Sequence, residues 1–175
     1  MKTIKHTRTT LLIFLLLPLL AVECYDEPFA PKLPQATESG EGMMAAKVNG
    51  VVWIAEGGLI GDNPSAMYGD ITGRLIFGGD DRSRSSFFTI ICDNVHSTGI
   101  YYAWGTSTFQ DGTTALFKGS WGVCAAQSFN PAEIKITRLD TIEQIIAGTF
   151  EFDGICENGD TVKVRQGRFD VTYSY

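Results

Sequence analysis

Three sets of residues in this 175-residue chain could do chemistry: close carboxylate pairs, evenly spaced cysteines, and aromatics at alternating positions. The carboxylates are Asp80-Asp81, Glu151 with Asp153, and Asp140. Two acids flanking a glycosidic bond can hydrolyse it, one protonating the leaving oxygen while the other acts on the opposite face. Asp80-Asp81 stands in Gly78-Gly79-Asp80-Asp81-Arg82-Ser83-Arg84, a turn with its own counter-charges, and Glu151 and Asp153 are expected to face Lys163 and Arg165. Those settings read as solvated faces. His96 in Asp93-Asn94-Val95-His96-Ser97 is the one imidazole after residue 23, and no G-x-S-x-G elbow accompanies it, so a nucleophile–base–orienter triad has no second member. No C-x-x-C, H-E-x-x-H or EF-hand spacing occurs. Asp62-Asn63 with Asp70, or Asp153 with Glu157 and Asp160, are the loops that could cage calcium. No catalytic residue, metal or cofactor is expected, and the chain reads as a non-enzyme.

The cysteines Cys92, Cys124 and Cys156 are spaced by 32 residues, and Ile91-Cys92-Asp93-Asn94 echoes Ile155-Cys156-Glu157-Asn158. The flanks do not continue the echo, so no internal repeat is inferred. An oxidising compartment favours one disulfide among these three, the pair being left open, and three buried thiols are the alternative. Tyr102 and Trp104 fall on one strand face and Trp121 on a later strand. Two or three aromatics on a sheet face can stack sugar rings. Filling the core is the competing use of such large side chains.

Composition narrows the setting. The chain carries 14 Lys+Arg against 20 Asp+Glu, is 44% hydrophobic and 19% charged, and has a formal charge of −6. It is globular in type and lacks the basic field that nucleic-acid binding uses. Lys2, Lys5 and Arg8 precede an apolar run, Leu11–Val22, interrupted by Pro18. A membrane-spanning helix needs about 20 apolar residues, so residues 1–23 read as a secretory signal peptide. Leu20-Ala21-Val22-Glu23-Cys24 resembles a bacterial lipobox, with Glu23 where a small residue normally precedes the Cys. Cys24 is therefore the expected lipidation site, with soluble secretion and a plain thiol as the alternative. Asp26 and Glu27 resemble the acidic stretch of surface-exported Bacteroidota lipoproteins. Cleavage after residue 23 takes three bases and one acid from 14 and 20, leaving 11 against 19, or −8. A mature chain of that charge is expected at the outer membrane through its lipid alone, with a glycan or protein as partner and no nucleic acid.

Residues 24–42 contain Pro28, Pro31 and Pro34 and almost no large aliphatics, which reads as a short disordered linker. Residues 43–175 form one domain in which period-2 alternation recurs and helical periodicity does not. Asn49-Gly50 marks a tight hairpin within Lys47–Trp53. Strands are expected at 71–77, 86–94, 100–104, 114–118, 121–126 and 133–139, the second central, with a short helix allowed near 63–68. In Thr149–Asp153 and Thr161–Arg165 the apolar and charged residues alternate, so Phe152 is set against Val162 and Glu151 against Lys163. A two-residue loop at Asn158-Gly159 would put opposite faces in register, so a longer loop or a bulge is required. Beyond it, the inward residues switch from Val162 and Val164 to Phe169, Val171, Tyr173 and Tyr175, which requires a bulge or hairpin at Gln166-Gly167. The fold class is all-β, a single antiparallel β-sandwich or partly open barrel.

The segments Ile134–Asp140, Ile146–Phe152 and Gly167–Tyr173, opened by Lys47-Val48-Asn49-Gly50-Val51-Val52-Trp53, resemble a family of uncharacterised Bacteroidota lipoproteins. That family closes its domain on a GTFEF…GRFDVxY pattern, and the resemblance spans most of residues 46–175. It implies a β domain on a lipid anchor and carries no activity with it. The function expected is a cell-envelope binding or assembly module, with Tyr102, Trp104 and Trp121 as the candidate ligand residues. A secreted hydrolase using an Asp/Glu pair, or a purely structural envelope protein, is the alternative.

Overall fold

Asn49 and Gly50 take φ of 50° and 84°, the left-handed backbone of a type I′ turn, and join β1 (Met43–Val48) to β2 (Val51–Ile54). The structure, a computed structural model, describes residues 31–56, 64–105 and 112–175. Nine further strands follow: β3 (Ser65–Gly69), β4 (Arg74–Asp81), β5 (Ser86–Cys92), β6 (Gly99–Ala103), β7 (Thr114–Gly119), β8 (Gly122–Ala125), β9 (Ala132–Asp140), β10 (Ile145–Cys156) and β11 (Thr161–Ser174). They form one sheet in the order β2-β1-β11-β3-β4-β5-β7-β8-β10-β9-β6, and β11 also pairs with β10. The strands β11-β3-β4-β5-β7-β8-β10 therefore partly close into a ring, with β1–β2 and β9–β6 as flaps. The all-β expectation holds. Among the described residues no helix is long and apolar enough to cross a membrane.

Two parts of the ring are thin. β8 meets β10 only at Ile155 opposite Ala125 and Cys156 opposite Cys124. β11 meets β3 only at Tyr173 and Ser174, in the one parallel pairing. Inside, the inward faces of the strands supply a mainly aromatic centre. Phe77 stacks on Phe169 at 4.1 Å, and Phe88 lies 4.6 Å from Trp53, 4.8 Å from Phe117 and 5.5 Å from Phe150. Phe150 and Phe169 are both buried. β5 is central, paired to β4 on one side and β7 on the other.

The helix allowed near 63–68 is not found over its described part. Ser65–Gly69 is a strand that buries Ala66 and Tyr68 and exposes Met67 between them, and Asn63 lies outside the described residues. The strand expected from Ile71 begins instead at Arg74, because Gly73 at φ 64° ends a turn that leaves Ile71 exposed. Trp121 precedes β8 and belongs to its turn. Tyr175 lies past β11 and is exposed.

The β10–β11 register is shifted two residues from expectation. Phe152 opposes Val164, and Asp153, not Glu151, opposes Lys163. The cause is local. The loop is three residues, Glu157–Gly159, closed by Cys156 N–H on Asp160 O at 2.8 Å and Gly159 N–H on Cys156 O at 2.9 Å. A three-residue hairpin needs the left-handed conformation at its last position, and Gly159, with φ 87°, provides it. The phase switch is a bulge, as expected: Phe150 opposes Gly167 while Phe152 opposes Val164. The same extra residue shifts the β1 ladder, between Ala45–Arg168 and Lys47–Arg165.

At the bulge it is Gln166, not Gly167, that is left-handed, with φ 53°. Gly167 is needed for another reason. A Cβ there would lie 2.4 Å from Phe150 O and 2.6 Å from the Phe150 ring. Gly167→Ala should therefore cost about 2 kcal/mol in urea denaturation, as overpacking of a tight site does. Gln166→Gly, which relieves the backbone, should be neutral or slightly stabilising.

The last part of the expected linker is fastened to the domain, and Lys32–Tyr175 form one compact unit. Asp170 points outward from β11 yet is fully buried, because residues 37–41 cross over it. Its carboxylate accepts from Thr37 Oγ1 at 2.7 Å and from the N–H groups of Ser39 (2.9 Å), Gly40 (2.7 Å) and Glu41 (3.3 Å). Arg168 Nη1 donates to Pro34 O at 2.6 Å, and Arg138 Nη1 donates to Glu38 O.

Candidate functional site

Among the described residues β6 is the last strand of the sheet and has one unpaired edge, so its outward side chains stand at a margin. Strand alternation sends Ala103 into the core and Tyr102 outward. Tyr102 is 52% exposed and Trp104, one residue past the strand with the same parity, is 44% exposed. Trp104 N–H donates to Thr113 Oγ1 at 3.4 Å, and Gly105 N–H to Ala126 O at 2.8 Å, which fixes the chain as it leaves the strand.

Next to them lies a polar row. Tyr102 opposes Glu133 of β9, and Glu133 opposes Glu151 of β10. Like charges directly opposite one another destabilise a sheet pair, so this juxtaposition costs the fold something. Glu151 Oε1 accepts from Gln166 N–H at 2.9 Å, across the bulge. Two positions along β10, Asp153 Oδ1 lies 2.6 Å from Arg165 Nη2. Arg165 Nη1 in turn donates to Phe152 O (3.0 Å) and Val164 O (2.8 Å), which holds the guanidinium flat on the sheet. Pro131, Glu133, Glu151, Asp153 and Arg165 border a shallow depression of about 220 Å³. Around this depression the outer face of β6, β9, β10 and β11 thus combines two exposed rings with carboxylate acceptors and the fixed guanidinium of Arg165.

Trp121 is placed elsewhere. It is 40% exposed in the β7–β8 turn, its ring is 6.4 Å from that of Phe117, and it lines a different cavity with Val48, Trp53 and Arg84. The structure brings Tyr102 and Trp104 onto one face and sets Trp121 at another. Cys24 lies outside the described residues, as does Asp62.

The remaining carboxylates have structural partners. Asp81 is buried and accepts from Ser83 Oγ (2.6 Å) and Arg84 N–H (3.1 Å), closing the β4–β5 turn. Asp80 pairs with Arg82 at 3.2 Å. Asp140 accepts from Glu143 N–H at 2.9 Å and Ile142 N–H at 3.0 Å in the β9–β10 turn; these bonds and the Arg138 guanidinium hold its carboxyl below the usual range, the Glu143 bond first. Asp160 accepts from Asn158 Nδ2 at 2.7 Å. Among the described residues no cluster of three His, Cys, Asp or Glu could hold a metal ion. His96 is exposed in the β5–β6 loop.

Cys124 and Cys156 form a disulfide, and Cys92 is a buried free thiol whose pKa burial pushes up to about 12. It is a thiol at any ordinary pH and so a poor nucleophile.

Sequence reasoning passed over Glu133 and Arg84. Glu133 alternates with Lys135 and is recognisable as outward-facing, but its place between Tyr102 and Glu151 depends on strand order, which no local signal encodes. Comparison with family models, with curated proteins and with solved structures finds no match for this chain.

Proposed function

We propose that this chain is a non-enzymatic binding module of the cell envelope, which presents the outer face around Tyr102 and Trp104 to a glycan. The observation that carries this reading is the pair of large rings left half-exposed side by side on an edge strand. Burying the exposed half of each would gain roughly 1 kcal/mol, and adjacent exposed apolar surface of this kind marks an interaction site. The C–H face of a pyranose fits such a platform. Its hydroxyls meet acceptors at Glu133 and Glu151 and donors at Arg165, the polar groups that fix orientation in otherwise apolar sites.

The leader and Cys24 support delivery to the outer membrane on a lipid, and the resemblance of the C-terminal segments to Bacteroidota lipoproteins points the same way. The Cys124–Cys156 bridge is consistent with export, since such bonds persist in oxidising compartments. Mass spectrometry of the native protein should find an acylated N-terminal peptide beginning at Cys24; an unmodified thiol there would end the lipid reading.

A glycan-array screen of the purified protein, followed by calorimetry on the best ligand, tests the binding face. Trp104→Ala and Tyr102→Ala should each weaken binding at least tenfold while changing stability by no more than about 0.5 kcal/mol, as exposed positions do. Undiminished binding by both variants would remove this face from the function. The hydrolase alternative predicts instead that new reducing ends appear on incubation and disappear with Glu133→Gln.

A further inference from the structure

A second concavity lies where residues of the β1–β2, β4–β5 and β7–β8 hairpins meet, on the open end of the ring, and it encloses about 220 Å³. Its apolar lining is Val48, Val51, Trp53, Phe117 and Trp121, completed by short polar and glycine residues of the turns. Trp53 is almost fully buried and, with Phe117, forms the floor of the cavity; its indole N–H is satisfied by Ser86 Oγ at 2.9 Å, so the floor presents no unpaired donor. Val51 and Trp121 stand at the opening, 60% and 40% exposed.

One charged residue lines this space. Arg84 is held by Nη1, which donates to Val52 O at 2.7 Å and lies 3.6 Å from the buried Asp81 carboxylate. Both contacts fall on one corner of the guanidinium. Its Nε–Nη2 edge meets no protein acceptor among the described residues, and the side chain is 48% exposed. A guanidinium edge of this kind matches a carboxylate with two parallel N–H···O bonds. Asp81 offsets part of the charge, yet it is consumed at the other corner and fixes the fork in place.

We propose that this cavity binds a small carboxylate with a compact aromatic or branched apolar body. The body lies against Trp53, Phe117 and Trp121, and the carboxylate takes the Nε–Nη2 edge of Arg84. Pockets for drug-sized ligands enclose roughly 300–1,000 Å³. The smaller space here limits the ligand to one or two fused rings, and the mouth of a β-barrel is a common place for such a site. The site is separate from the face of Tyr102 and Trp104 and stands or falls independently of it.

Isothermal titration calorimetry of the purified protein with naphthalene-2-carboxylate should show saturable one-to-one binding. The neutral naphthalene-2-carboxamide should bind at least fivefold more weakly. Trp121→Ala should weaken the carboxylate at least tenfold. Val51→Trp, which fills the opening from an exposed position, should abolish binding while the circular dichroism spectrum is unchanged. Tyr102→Ala should have no effect. Absence of saturable binding at millimolar ligand, equal affinity for the carboxamide, or wild-type binding by Val51→Trp would each overturn the proposal.

Discussion

Asp170→Ala should lower the free energy of unfolding by about 3–4 kcal/mol, because several buried donors lose their acceptor at roughly 1–3 kcal/mol each. The carboxylate is fully buried on the outer side of β11, and residues 37–41 supply one hydroxyl and three backbone N–H groups to its two oxygens. Hydrogen bonds to a charged group contribute about 1.5–3 kcal/mol each, and part of that offsets the carboxylate's desolvation. Gly40 makes the convergence of amides geometrically feasible: it takes φ 77° while its α-carbon runs close over Ile145. Alanine at 170 removes every acceptor at once, and among the described residues the hydrogen bonds that still tie the segment to the strands are Arg168 to Pro34 O and Arg138 to Glu38 O. Residues 34–41 should then peel away. Glu38 and Glu41 make this measurable, because a protease that cuts after glutamate should cleave there much faster in the variant than in the wild type. Asp170→Asn should lose nearly as much, since its amide nitrogen would face donors whichever way it is turned. A variant with wild-type stability and wild-type cleavage would show that the segment is held by packing alone.

Asp170 also illustrates what local pattern can and cannot convey. Its position among Phe169, Val171 and Tyr173 identifies it as outward-facing, and it is. Its burial comes from residues about 130 positions earlier, in a proline-containing stretch whose composition reads as a linker. By contrast, the Asn49-Gly50 hairpin and the bulge near Gln166 were legible because turn chemistry and face parity act over a few residues. The β10–β11 register was legible in parity and wrong in detail. The charge match of Glu151 with Lys163 yields to the turn geometry at Gly159, because an exposed ion pair is worth only about 0.2–1 kcal/mol, against a backbone conformation that most residues resist. β3 was not legible because Met67, an apolar residue on its exposed face, hides the alternation that buries Ala66 and Tyr68. The binding face was legible only in part. Tyr102 and Trp104 share a strand and so share a face by parity, whereas the separation of Trp121, and the neighbourhood of Glu133, follow from an order of strands in which β6 lies beside β9.

Replacing Cys124 and Cys156 together by alanine should cost about 3–4 kcal/mol. The bond closes a loop with a sequence separation of 32, and loop-closure entropy for that length comes to roughly 3.7 kcal/mol. Its position adds a structural consequence. The bridge joins β8 to β10 where the two strands share only two paired positions, one of them the cysteines themselves. Without it that side of the ring is held by the pairing of Ile155 with Ala125, the bond from Glu157 N–H to Val123 O at 3.2 Å, and core packing. The loss should therefore be uneven. Amide hydrogen exchange in β8 should accelerate far more than in β4 and β5, which are paired on both sides. Treating the wild-type protein with a thiol reductant should reproduce both the drop in Tm and this exchange pattern. Uniform acceleration across all strands would show instead that the ring opens as one cooperative unit, and a stability loss under 1 kcal/mol would show that core packing alone keeps β8 on β10.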